Sequence, residues 1–216
     1  MEIRVDESVR SLAVNIKTYD LSDIEVGDTP LDRFSVLSFE LRGQLRERFP
    51  RMDDVRKDRT IRSLRDLYWR IGIDPTKQRP SSEALLRRIL VKELPVINNL
   101  VDAGNLASAK TLIPVGIYDV DRIEGDPVLR LSRGGESFHG IGGKEKEMKK
   151  GHPVLADDRG IIHLYPYRDS MRTRITKNCA NALVVACGAK GIRERVLIET
   201  LDSVDNYFDL LGGVRS

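Results

Sequence analysis

The 216 residues, 40% hydrophobic and 32% charged, suffice for one large domain, or one domain with a substantial extension, around a real core. No apolar run reaches the ~20 residues of a membrane-spanning helix, and the opening MEIRVDESVR lacks the basic-then-apolar pattern of a secretory signal. A net charge of +3, from 36 basic and 33 acidic residues, permits a polyanionic partner without demanding one.

In chain order, EIRVDESV and SLAVNIKTY alternate like short strands. LDRFSVLSFELRGQLRERF then spaces Phe34, Leu37, Phe39, Leu41, Leu45 and Phe49 as a helix that Pro50 ends. TIRSLRDLYWRIGI predicts a second helix, with Ile61, Leu64, Leu67, Tyr68 and Ile71 on one stripe. DPTKQRP is rich in turn residues, and its linker is the best candidate for an internal boundary. SSEALLRRIL begins a third helix, with Ser81 as the expected N-cap and Glu83 in the first turn. A fourth helix covers LPVINNLVDAGNLAS. From Pro114 the period falls to two through VGIYDVDRI, PVLRLS, ESFHGI, HPVLADD, GIIHLYPY and NALVVACGA, before the amphipathic IRERVLIETLDSVDNYFDLL. Helices early, strands late and a closing helix predict an α+β architecture, a mixed sheet flanked by helices.

The fourth helix carries Asn98, Asn99, Asp102 and Asn105, residue types that compete with helix backbone hydrogen bonds. Asn98, Asp102 and Asn105 fall within an arc of about 60°. The opposite arc, Ile97, Leu100, Ala103, Gly104 and Ala107, is small enough to lie close on a sheet. Three readings are open: a solvated face, a structural network tying loops together, or a row of ligand-facing groups.

Other motifs carry less. His139, His152 and His163 lack zinc-binding spacings, so neither metal nor cofactor is expected. Cys179 and Cys187 form no C-x-x-C and read as packed thiols in a reducing compartment, the cytoplasm being the expectation. GIGGKEKE fails as a phosphate loop, because no Ser or Thr follows its lysine, and reads as a Gly-rich hairpin. Lys144, Lys146, Lys149 and Lys150 collect there as candidate phosphate contacts; interleaved acids also fit a plain solvated loop.

RPSSEALLRR, LPVINNLVDAGNLAS, LIPVGIYDVDRIEGDPVLRLSRGGESF and GHPVLADDRGIIHLYPYRDSMRTRITKNCANALVV, in this order, resemble a free-standing B3/B4 domain. That module belongs to the beta subunit of bacterial phenylalanyl-tRNA synthetase. The resemblance runs from about Leu67 to Gly188, so residues 67–216 are read as the B3/B4-like domain and 1–66 as a strand and helix extension packed on it. It implies tRNA or aminoacyl-tRNA as partner and, as activity, release of a wrong amino acid from a mischarged tRNA, with no ligase activity in this chain alone. A non-catalytic module binding tRNA or an aminoacyl or nucleoside ligand is the alternative, and a scaffold whose N-terminal helices hold another protein is a third. Under the first reading Asp102 orients water, with Thr173 as the second catalytic candidate. Asn98, Asn105, Gly116, Tyr118, Asp169 and Ser170 line the ligand, and Arg168 meets the terminal phosphate. On local sequence alone Asp169–Ser170 also reads as a turn or cap. The synthetase motif has a histidine where this chain has Gly116, and its Met-Gly-Gly segment is replaced by YPYRDS.

Overall fold

The computed structural model describes residues 1–215. Its strands are β1 (Arg4–Val5), β2 (Asn15–Leu21), β3 (Ile24–Glu25), β4 (Val115–Asp119), β5 (Val128–Leu131), β6 (Glu136–His139), β7 (Glu145–Met148), β8 (Pro153–Ala156), β9 (Ile161–Leu164), β10 (Arg168–Asp169), β11 (Ala182–Gly188) and β12 (Val214–Arg215). The α-helices are α1 (Leu31–Arg48), α2 (Arg59–Arg70), α3 (Ser81–Val91), α4 (Asn99–Thr111) and α5 (Glu194–Leu210). The architecture is mixed α+β, with a five-stranded sheet ordered β1-β5-β8-β9-β10 and a three-stranded sheet ordered β2-β11-β4. β6 and β7 form a separate hairpin, and β12 pairs with β3. No helix among the described residues is long and apolar enough to cross a membrane.

β11 is buried along its whole length because β2 and β4 flank it and α5 covers it. A continuous apolar run is what such a doubly covered strand requires. α4 packs on α5 and on β4. Gly104 makes that approach close, since a Cβ there would lie 2.6 Å from Ile117 Cδ1. The Tyr165 hydroxyl donates to the carbonyl of Gly188 at 2.5 Å, joining the segment after β9 to the end of β11. Residues 1–66 form no body of their own: β2 is an edge of the three-stranded sheet, and β1 pairs in parallel with β5.

Several local expectations change. EIRVDESV yields only the two residues of β1, because the Asp6 carboxylate accepts from Ser8 N–H and starts a 3-10 turn over Glu7–Leu12. Ser81 is the first residue of α3, with Pro80 at the cap position. Glu83 does more than complement the helix dipole. Its fully buried carboxylate accepts from Arg65 of α2 and Arg87 of α3, each at 2.8 Å, a pairing that a buried charge requires. Helical spacing puts Phe39 on the core stripe of α1, yet it is 74% exposed. The buried face of that helix is Phe34, Ser38, Leu41 and Leu45.

Candidate functional site

The polar row resolves into helix-start chemistry. α4 begins at Asn99, so Asn98 is its N-cap, and its side-chain oxygen accepts from Val101 N–H at 2.9 Å. Asn99 faces the loop after β3, accepting from Gly27 N–H at 3.1 Å and donating to the Glu25 carbonyl at 3.3 Å. Asp102 accepts from Ile97 N–H through both oxygens, at 3.1 and 3.0 Å, and from the Thr29 hydroxyl at 2.5 Å. Ile97 itself lies before the helix and is exposed, not part of its packed arc. The network reading therefore holds: Asn98 satisfies an N–H that the helix start leaves open, while Asn99 and Asp102 tie that start to the segment after β3 and to Ile97 before it.

This arrangement corrects the catalytic assignment of Asp102. Its side chain is 0% exposed and its oxygens are occupied by loop donors, so it has no face on which to orient a water. Burial raises its pKa above the ordinary carboxylate value, against the lowering effect of the Thr29 and Ile97 hydrogen bonds. Thr173, the other catalytic candidate, is likewise fully buried, and its backbone carbonyl accepts from Asp119 N–H. Asn98 is closed over by its capping role, while Asn105 is half-buried.

A second group does converge, around the end of β9 and β10. Antiparallel pairing sets Asp169 opposite His163, and Asp169 Oδ1 lies 2.7 Å from His163 Nδ1. Across on β4, the space a Gly116 side chain would take is filled by the Tyr118 hydroxyl, and a Cβ there would also come 3.3 Å from Asp169 Oδ1. Tyr118 is fully buried and its hydroxyl lies beside Asp169 without a well-formed hydrogen bond. Burial, then the Asp169 charge, pushes its pKa well above the ordinary tyrosine value, so the phenol stays protonated. His163 Nε2 is a second buried atom without a protein partner. The Thr173 hydroxyl is likewise buried without a protein partner, and each such polar atom calls for an explanation.

At the surface of this cluster Asp169 is half-buried and Arg168 exposed. Arg168 reaches the Ile141 carbonyl of the β6–β7 turn at 3.3 Å, and Gly140 has no room for a side chain beside it. Ser170 is buried, bridging to Gly140, and its hydroxyl accepts from Arg172 N–H. The expected site residues thus separate: Gly116, Tyr118 and Asp169 meet, Arg168 reaches the β6–β7 turn, and Asn98 and Asp102 serve the start of α4. By sequence His163 reads as an ordinary strand histidine. Its hint was the i, i+6 spacing to Asp169, which becomes a cross-strand pair only once the turn after β9 is known.

Lys144 lies just before β7, Lys146 on it and Lys149 and Lys150 just after it, all exposed and, among the described residues, none in an ion pair with an acid. Among the described residues there is also no cluster of three or more His, Cys, Asp or Glu that could hold a metal.

Comparison with known proteins gives a consistent outcome. The B3/4 domain model matches residues 63–200. The phenylalanine–tRNA ligase beta subunit of Mycoplasma genitalium is 31% identical over 117 residues, 53% of this chain and 14% of the relative. That of Fusobacterium nucleatum is 29% identical over 112 residues, 52% of this chain and 14% of the relative. The chain thus spans only a small part of the length of these relatives. An N-terminal fragment of the phenylalanyl-tRNA synthetase beta subunit from Pyrococcus horikoshii aligns with a TM-score of 0.44 and 19% identity, covering 53% of this chain and 41% of the fragment.

Proposed function

This chain belongs to the B3/4 domain family, and from that premise we propose that it is a tRNA-associated module that holds the aminoacyl end of a charged tRNA at Asp169. The observation that carries the reading is Asp169 itself. It is a half-buried carboxylate at the edge of a buried polar cluster, backed by His163, with the exposed Arg168 beside it in the chain on the opposite face of β10. A carboxylate so placed suits the ammonium group of an esterified amino acid, and the planar Arg168 fork suits the adjoining phosphate. Gly116 makes room for the Tyr118 hydroxyl beside Asp169. The names of the relatives supply tRNA as the partner class.

Ester release, the trans-editing reading, has one observation in its favour. With Nδ1 engaged by Asp169, His163 offers Nε2 as the free ring nitrogen of a paired imidazole, the arrangement of a general base. At 4% exposure the ring requires local opening before a substrate water reaches it. The test is a binding assay with charged and uncharged tRNA beside a deacylation assay on tRNAs mischarged with Ser, Tyr or Ala. The binding module predicts preference for the charged form, reduced about tenfold in Asp169→Asn, the size of one charge-assisted contact. Equal affinity for both forms removes the aminoacyl-end site. Release above buffer that disappears in His163→Ala establishes the hydrolase.

A further inference from the structure

α1 is apolar on two faces. One face packs Phe34, Leu41 and Leu45 into the core. Its opposite face carries Asp32, Val36, Phe39, Gly43 and Arg46, alternating by four and three residues and so forming one ridge along the helix. Val36 and Phe39 are 57% and 74% exposed. Beside the ridge runs a groove of about 700 Å³ between α1 and the strand-like segment before α4, lined by Leu31, Ser35, Phe39, Leu94 and Val96. On this face an acid begins the ridge and a base ends it: Asp32 and Arg46 stand seven residues either side of Phe39. Neither is in an ion pair with another side chain among the described residues, although Arg46 also reaches the Leu90 carbonyl at 3.4 Å.

We infer that this face binds a second copy of the chain through an antiparallel α1–α1 pair crossing at Phe39. The charge order selects that occupant. A two-fold axis at Phe39 sets Asp32 of one copy against the partner subunit's Arg46, about 10 Å from the axis, and repeats the pair on the other side. A parallel pair in register would instead set like charges together. Antiparallel alignment also places each helix's N-terminal dipole against the other's C-terminus. Gly43 leaves open space where a Cβ would stand, so the backbones can approach at that turn. Each Phe39 lies toward the groove side of its ridge and enters the partner's groove, giving the buried aromatic anchor a stable interface needs. Glu40 and Arg42 lie to the sides, with Arg42 held by the Ile89 carbonyl at 2.7 Å.

Sedimentation equilibrium of the full chain across a hundredfold range of concentration tests this. The wild type is expected to be a dimer, and Phe39→Glu to raise the dissociation constant at least tenfold, with a thermal melt equal to the wild type's when both are diluted below their dissociation constants. Asp32→Arg and Arg46→Asp should each weaken association, and D32R combined with R46D should restore it, because the swapped charges face one another again. A wild type that stays monomeric throughout, or a Phe39→Glu variant that still dimerises normally, overturns the proposal. Failure of the double swap to recover association overturns the antiparallel register. A melt lowered by Arg46→Asp is resolved by the same double swap, which still lacks the hydrogen bond to the Leu90 carbonyl but has the ion pair back.

Discussion

At Gly116 the missing side chain has a substitute, because Tyr118, two residues along the same face of β4, folds its hydroxyl into the space. The buried phenol cannot retreat: its ring packs edge-on against His163, with centroids 5.9 Å apart. A methyl group at 116 would therefore overlap both the hydroxyl oxygen and the ring carbon that bears it, the latter at 2.7 Å. Gly116→Ala is expected to cost about 1–3 kcal/mol in chemical denaturation, the usual scale of overpacking. Adding Tyr118→Phe removes the oxygen but leaves the carbon, so the double variant should recover only part of the loss. An alanine variant as stable as the wild type would show that Tyr118 has another rotamer open to it. The same packing explains why a histidine has no place here: the position where the resemblance leads one to look for it is already filled from within the strand.

Between elements, the start of α4 is held by side chains reaching out of it, and Asp102 is the central tie to the segment after β3. Because burial raises its folded pKa above the unfolded value, the native state holds the Asp102 proton more tightly than the unfolded chain does. The sign follows: this group's contribution to stability falls as pH rises from the unfolded value of 3.8 through its raised folded value, and is regained on acidification. Asp102→Asn cannot titrate, so the stability difference between wild type and variant should shift toward the wild type as pH falls through that window. A difference independent of pH would mean that the carboxylate is not desolvated. This helix also shows what sequence periodicity can and cannot reveal. The small arc at Ala103, Gly104 and Ala107 was legible, because only small residues permit the observed approach to Ile117. The purpose of Asn99 and Asp102 was not, since their partners, Gly27 and Thr29, lie more than seventy residues earlier in the chain. Phe39 escaped for the converse reason: an apolar residue at helical spacing reads the same whether it faces a core or a vacant ridge.

Over the whole molecule, basic and acidic residues nearly cancel, so any affinity for tRNA must come from where the charges stand. The β6–β7 hairpin packs Phe138 and Met148 on β8 and β9 of the five-stranded sheet and carries Lys146 on its second strand, with Lys144, Lys149 and Lys150 at its ends. Of its acids, Glu136 is already paired with Arg130, leaving Glu145 and Glu147 beside the lysines. The turn of the same hairpin receives Arg168, beside Asp169, so a tRNA whose end lay at Asp169 would bring phosphates past these lysines. Each phosphate contact made by a lysine releases counterions and adds about 0.7 to 0.9 to the steepness of log affinity against log salt. Replacing all four lysines by glutamine should therefore weaken tRNA binding at low salt and flatten that slope by about one unit or more. The ratio of affinities for charged and uncharged tRNA should stay as it was, because phosphate contacts position the ligand without reading its aminoacyl group. An unchanged slope would move the tRNA path off the hairpin, and a lost ratio would mean that the hairpin shapes the Asp169 site through Arg168 instead of tracking the backbone.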